Sequence, residues 1–391
     1  MATNPEQIPS LPVIEVDDEG VRIHWDKERS SFYHHFWLRM ACHCEICGDS
    51  HTGHRRLHPS DVPTDIRPVS ITPETNFLRI NWPDDNHEST YDYRWLEHFA
   101  YDDPRRDWTP NLWGSDLNLE HITQRLDQVQ TDPESYLDFL RSLRDYGIAV
   151  IRGHEPIGIE NMAGLIGRLA AAAYNPVFEL KPQKNAHTLG NSTQVVPPHT
   201  DESYLHTPTG ILVLYCINPA KEGGESVMVD GFKLAEQLRA QDPQAFDLLC
   251  RVPQANHRIV PDEGLDHRTR NRAFNVAENG NLVGFRFHPR AMAPTDVAPE
   301  LARQLHEANA QVCRLIFNES NQVCFQLEAG DAVFFDNHRV MHSRKGFSDL
   351  DRHLQICNVS RESFHQKLRL TLREQGHHDE LAQKWPAGVS G

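Results

Sequence analysis

The run Cys42-x-Cys44-x-x-Cys47 constrains folding more tightly than any other short stretch of this chain. In a reducing compartment, thiols this dense read as metal ligands rather than disulfides. Thiolates suit zinc, which takes four tetrahedral ligands and completes a partial set with nitrogen or sulfur. Sequence spacing leaves the fourth ligand open among His51, His54, His58 and His87, because a remote residue closes a zinc site as well as a near one. A thioredoxin-type redox site would want a βαβ context that is missing here. A domain of about 100 residues gains most from a metal staple, so the zinc reads as structural. The other cysteines (Cys216, Cys250, Cys313, Cys324 and Cys357) are scattered and read as buried thiols.

Short alternating runs dominate the remainder. "PVIEVDDEGVRIHW" (12–25) reads as two strands around the turn at 18–20, and "FLRINWP" (77–83) as another. The stretch 99–116 mixes Pro, Asp, Gly and Trp without periodicity, which predicts a zinc-binding domain over 1–100, a linker over 101–116 and a second domain over 117–391. Beyond it, Tyr136, Phe139, Leu140 and Leu143 form one helical stripe, capped by Asp132 and stopped by Gly147. Strands are expected at 148–153, 211–217, 226–231, 282–288, 332–344 and 352–360, with helices near 232–252 and 297–318. Many short strands, few long helices and no βαβ rhythm predict a mainly β chain with helices: an antiparallel barrel or jelly roll beside a small N-terminal α+β zinc domain.

The bulk numbers exclude several function classes. With 39 basic against 55 acidic side chains the net charge is −16, which opposes binding to nucleic acid or to an anionic membrane. No stretch reaches the roughly 20 apolar residues that span a bilayer. The start, "MATNPEQIPSLPVIEV", lacks the basic and apolar regions of a secretory signal, so a cytoplasmic location is expected.

The candidate chemistry lies in "HTDESYLH" (199–206). In extended backbone, residues i and i+2 point the same way, so His199 and Asp201 can converge on one ion. Pro197 and Pro198 keep the approach non-helical. With one more imidazole, this pair makes the facial triad that holds non-haem Fe(II). "FFDNHRVMHSR" (334–344) offers His338 and His342, which share strand parity. A hairpin from there into "RHLQICNVS" would return Arg352 beside His342, where its planar fork could hold the distal carboxylate of a dicarboxylate co-substrate. His206 reads as a bystander.

These residues, with "GGESVMVDGF" (223–232) and "RHL" (352–354), resemble the Fe(II)/2-oxoglutarate oxygenases of the γ-butyrobetaine and trimethyllysine dioxygenase type, in order and over nearly the whole chain. The resemblance implies a double-stranded β-helix (jelly-roll) catalytic domain, often in a homodimer. It implies iron held by His199, Asp201 and His342, zinc held by Cys42, Cys44, Cys47 and His87, and 2-oxoglutarate held by Arg352. His338 stands where such enzymes usually carry Trp and is expected to pack nearby. Fe(II), 2-oxoglutarate and O2 would oxidise an unactivated C–H and release succinate and CO2. Because halogenating relatives lack the iron carboxylate, Asp201 implies hydroxylation or desaturation.

The implied substrate contacts depart from the family pattern. Tyr174 and Phe178 match part of an aromatic cage for trimethylammonium, but the remaining slots carry His187 and Asn358. Where an Arg-Phe-Asn-Asn stretch would supply an amide, this chain has Arg286-Phe287-His288-Pro289-Arg290. Arg286 or Arg290 could meet an anion, and Tyr204 is a further contact. This more polar pocket predicts a small zwitterionic or amino-acid-derived metabolite. A γ-butyrobetaine-type hydroxylase of a quaternary ammonium compound is the alternative. A non-catalytic scaffold and a zinc hydrolase on the same fold are further alternatives.

Overall fold

The structure is a computed structural model that describes residues 11–84, 86–153, 156–170, 176–184, 186 and 188–385. The chain forms two compact units: Met1–Trp108 with His377–Lys384, and Thr109–Gly376 with Trp385–Gly391. The expected linker is not a free connector. Trp108 and Trp113 are both buried, and Trp113 packs in the core of the second unit while its indole donates to the Tyr146 carbonyl (2.7 Å). Aromatic burial outweighs the loop-like composition of this stretch. Residues 377–384 return to the first unit, where Arg106 donates to the Ala382 carbonyl (2.9 Å), so the second domain is not one unbroken span.

The first unit contains two antiparallel three-stranded sheets, Val13–Val16, Gly20–His24 and Ser30–His34, then Ser70–Pro73, Phe77–Asn81 and Glu88–Asp92. Alternation puts Val21 and Ile23 on one inner face, and Leu78, Ile80 and Tyr91 on another, around Leu38 and Trp82. The helix His35–Ala41 delivers the chain into the cysteine run.

The second unit is a jelly roll of two facing sheets. The larger has the order Val177–Leu180, His353–Val359, Ile211–Asn218, Ala332–Asp336, Ile148–Arg152 and Thr123–Arg125. The smaller has the order Val196–His199, Val340–Arg344, Ser226–Asp230 and Gln322–Phe325. Leu212, Leu214, Val333, Phe335 and Leu354 from the first sheet meet Met228, Val323, Phe325 and Val340 from the second. The helix Pro133–Tyr146 begins at Asp132, which caps Ser135, and ends at Gly147 (φ +72). It packs on the outside of the larger sheet, with Phe139 edge-on to Phe334.

Three expected elements differ. The run 332–344 is two strands in different sheets, broken at Asn337–Arg339, where Asp336 accepts a hydrogen bond from the His338 amide (2.9 Å) and turns the chain. The segment after Arg344 makes no hairpin with 353–359; it crosses from the smaller sheet to the larger. The helical stretch at 232–252 is two helices, Gly231–Gln241 and Pro243–Arg251, because Pro243 cannot continue the first and Asp242 caps the second.

Arg339, 2 % exposed, lies across the turn and pairs through two nitrogens with the fully buried Asp230 (3.0 and 2.9 Å). It also donates to the Asp145 and Asn111 carbonyls (2.7 and 2.6 Å). Removing one member of such a buried pair leaves the other charge uncompensated. Asp230→Ala is therefore expected to lower the stability of this unit by about 3–5 kcal/mol, read as a fall in its denaturant midpoint.

Candidate active site and metal centres

In the first unit, Cys42, Cys44, Cys47 and His87 each offer a ligand atom, all within 4.8 Å of one another. The three sulfurs lie 3.3, 3.7 and 3.4 Å from His87 Nε2. His51, His54 and His58 are exposed, and neither they nor any further group joins this cluster among the described residues. The turn holding the thiols is closed by the Cys47 and Gly48 amides on the Cys44 carbonyl (3.1 and 2.8 Å). Arg39 donates to Cys47 Sγ (3.3 Å) and, through two nitrogens, to Asp84 (2.8 and 2.6 Å), while the Asp84 carbonyl receives the His87 amide (2.9 Å). One buried cation thus ties the thiol turn to the imidazole strand. Its only sequence signal was a lone Arg in the apolar helix "HFWLRMA".

Three sulfurs and one nitrogen around a common point fit a tetrahedral structural zinc. Burial pushes the Cys42 thiol up to about 11, so metal binding must displace its proton. Apparent zinc affinity is therefore expected to rise with pH, by about tenfold per unit for each thiol still protonated, as read by competition with a chromophoric chelator. Cys44→Ser is expected to lose zinc and to lower the melting temperature of this unit.

In the second unit the candidate catalytic cluster sits where the smaller sheet opens. His199 and His342 face each other across paired strands. Asp201 lies beyond the strand end, in a turn where Glu202 adopts a left-handed φ of +55°. Its convergence on His199 therefore comes from this turn rather than from strand alternation. The turn is held by Asn337, whose side chain accepts the Asp201 amide (2.7 Å) and donates to the Asp201 carbonyl (3.1 Å). The Asp201 oxygens lie 3.2 Å from His199 Nε2 and 3.7 Å from His342 Nε2.

The electrostatics prepare these groups for a cation. Burial opposes ionisation of Asp201, but His342 and His199 hold its carboxyl well below the usual carboxylate range. Burial pushes His342 down to about 4, so the imidazole is neutral at pH 7 with a lone pair available. His199 Nδ1 lies 2.9 Å from the Pro197 carbonyl, which can only accept, so that nitrogen carries a proton and Nε2 is the atom turned toward Asp201. Two imidazoles and one carboxylate on one side of an open cavity fit a facial-triad Fe(II) site.

The cavity, about 340 Å³, runs from this triad to Arg352 and is lined also by Phe178, Tyr204, His288, Arg290 and Asn358, among others. Arg352 is buried with its guanidinium stacked on Phe347 (4.9 Å). Gly224 (φ +72) leaves room for it: a Cβ there would stand 3.1 Å from Arg352 Nε. The expected hairpin does not place Arg352; the cross-over between sheets does. Of the proposed substrate contacts, Tyr174 and His187 lie outside the described residues. Asn358 spends its side-chain oxygen on the Gly210 amide (2.8 Å), and Tyr204 stacks against His267. His338 sits in the turn, with burial pushing it down to about 4, and does not line the cavity. Arg286 points to the Leu205 carbonyl (3.4 Å), whereas Arg290 reaches the cavity. His206 is exposed.

Arg344 was not expected. Its guanidinium donates to the carbonyls of Gly190 (2.9 Å), Leu189 (3.3 Å), Ser192 (2.7 Å) and Gln194 (2.6 Å), and it shares Phe347 with Arg352. It fixes the loop that contributes Leu189 and Gly190 to the cavity wall. Its neighbour Ser343 donates to the Val196 carbonyl (2.7 Å). An Arg two positions after His342 was the available signal.

Residues 110–358 match the taurine catabolism dioxygenase TauD, TfdA family. The chain belongs to this family. Residues 13–97 match the γ-butyrobetaine hydroxylase-like N-terminal domain. The chain is 29% identical over 356 residues to a γ-butyrobetaine dioxygenase of Pseudomonas sp. strain AK-1, covering 88% of this chain and 91% of that one. It is 25% identical over 370 residues to human γ-butyrobetaine dioxygenase (90% and 94% covered). It is 26% identical over 358 residues to human mitochondrial trimethyllysine dioxygenase (86% and 82% covered). The protein is a 2-oxoglutarate-dependent non-haem iron dioxygenase that uses Fe(II), 2-oxoglutarate and O2 on a small molecule, and hydroxylation is the supported reaction. No helix among the described residues is long and apolar enough to cross a membrane.

Proposed function

We propose that this enzyme hydroxylates a small zwitterionic or amino-acid-derived metabolite at an iron held by His199, Asp201 and His342, with Arg352 receiving the far carboxylate of 2-oxoglutarate. The observation that carries the reading is the ligand-ready pair of imidazoles flanking Asp201 in the cavity that ends at Arg352. Iron, 2-oxoglutarate and O2 supply C–H oxidation coupled to release of succinate and CO2. The chain's part is placement. Asp201 and the two imidazoles occupy one side of the metal position and leave the cavity side for co-substrate and substrate. Arg352, stacked on Phe347, presents a preformed fork, so little side-chain freedom is lost on binding a carboxylate. Phe178 and Tyr204 supply apolar walls for the substrate's carbon chain.

The names of the relatives favour a second reading, hydroxylation of a quaternary ammonium compound, in which Phe178 and Tyr204 would be part of the cation's enclosure. The homodimer and the cytoplasmic location expected from the sequence accompany the proposal; light scattering of the purified protein tests the first and fractionation the second.

Anaerobic titration with Fe(II) and 2-oxoglutarate is expected to give a weak visible charge-transfer band. Absence of both this band and succinate formation would overturn the oxygenase site. His342→Ala is expected to abolish turnover. Arg352→Ala is expected to weaken 2-oxoglutarate binding by about ten- to a hundredfold, the loss of a charge-assisted bidentate contact; an unchanged affinity would remove Arg352 from this role.

A further inference from the structure

Resting on the site proposed above, we infer that Phe347 is a positioning residue: its ring aims Arg352 at the co-substrate and ties that aim to residues 189–194 beside the cavity. Arg352 has little else to orient it. Among the described residues its guanidinium makes a single hydrogen bond, a long one to the Gly224 carbonyl (3.4 Å), and no ion pair. Its other directed contact is the Phe347 ring, whose centroid lies 4.9 Å from the guanidinium carbon. Phe347 does not itself line the cavity, so it can act on the co-substrate only through its neighbours.

The ring stands on a fixed backbone. The Phe347 amide donates to the Thr193 carbonyl (3.1 Å), Phe347 bridges Gly223, and the Gly224 amide reaches the Gly346 carbonyl (3.2 Å). The same ring carries Arg344, whose guanidinium carbon lies 4.8 Å from the centroid. Arg344 in turn holds the carbonyls of Leu189, Gly190, Ser192 and Gln194, and the first two of these residues line the cavity. Phe347 is thus joined to the wall twice, through its backbone at Thr193 and through its ring at Arg344.

Two like charges share one aromatic ring. Burial pushes both guanidiniums down to about 10, and the charge of Arg352 adds to the effect on Arg344; both stay cationic at pH 7. The electron-rich ring face attracts each cation, more strongly away from water, while the cations repel one another. A carboxylate received by Arg352 offsets that repulsion and lets Arg344 hold the wall more firmly. Linkage requires the converse by the same factor: whatever orders the wall strengthens 2-oxoglutarate binding.

The test compares the full-length protein with Phe347→Tyr, Phe347→Leu and Phe347→pentafluorophenylalanine, the last keeping the ring's shape while reversing the charge of its face. Affinity for 2-oxoglutarate is read by anaerobic calorimetry with Fe(II), and KM and kcat by succinate release without substrate. Phe347→Tyr is expected to match the wild type. The Leu and pentafluorinated variants are expected to lose about three- to thirtyfold in affinity and to raise KM alike, with kcat at saturation unchanged. In hydrogen exchange, 2-oxoglutarate should slow the amides of 189–194 in the wild type and not in the pentafluorinated variant. That variant fills the native space, so the test stands even where Phe347→Leu fails to fold. The inference is overturned if the pentafluorinated variant binds 2-oxoglutarate as the wild type does, if Phe347→Tyr loses as much as Phe347→Leu, if kcat falls while KM stays, or if 189–194 gains the same protection in both proteins. Absence of the charge-transfer band in the wild type would sink the oxygenase site itself, whereas a normal band with equal affinities across the variants sinks only the role of Phe347.

Discussion

The side-chain amide of Asn337 carries the geometry of the catalytic unit. It accepts the Asp201 amide, donates to the Asp201 and Thr209 carbonyls and to the Thr209 hydroxyl, and its own backbone amide reaches the Gly210 carbonyl. An amide can give and receive at once, which neither a carboxylate nor an ammonium can do. Asn337 also sits where the chain passes from the larger sheet to the smaller. One side chain therefore locks the carboxylate turn to the point where the sheets diverge. Burial makes each of these bonds costly to lose.

The two metal clusters obey different logic. At the zinc cluster, three of four donors come from one tight turn, and a single Arg39–Asp84 bridge recruits the fourth from a distant strand. At the candidate iron cluster each side chain has its own support: Pro197 for His199, Asn337 for Asp201, and the paired strands for His342. The first arrangement staples a small core. The second keeps one side of the metal position open, which chemistry requires.

What could be read from the sequence follows this division. The cysteine run is local, so its spacing alone announced a metal. His-x-Asp announced a pair, but alternation was the wrong reason for its convergence, since a left-handed turn at Glu202 does the work. Strand parity could not separate His338 from His342 because the two lie on opposite sides of a turn that periodicity does not register. Arg352 was assigned through a hairpin that does not form, yet the cross-over brings it to the same cavity. Arg258, Arg290 and Arg344 were illegible as a group: segments distant in sequence meet at the cavity only once both sheets are built. The two units divide between Trp108 and Thr109, inside the stretch 99–116, whose polar composition masks two tryptophans that bury.

Pro197 and Pro198 have a consequence beyond forbidding a helix. Their rings remove backbone freedom from the unfolded chain just ahead of His199, and the carbonyl of Pro197 is the acceptor that selects the imidazole tautomer. The approach to His199 is thus restricted by covalent rings even in the unfolded chain, and its ring is oriented by the Pro197 carbonyl on folding. An ion entering this cavity meets a donor that has little entropy left to surrender. In this chain, metal affinity is partly written into two residues that never touch the metal.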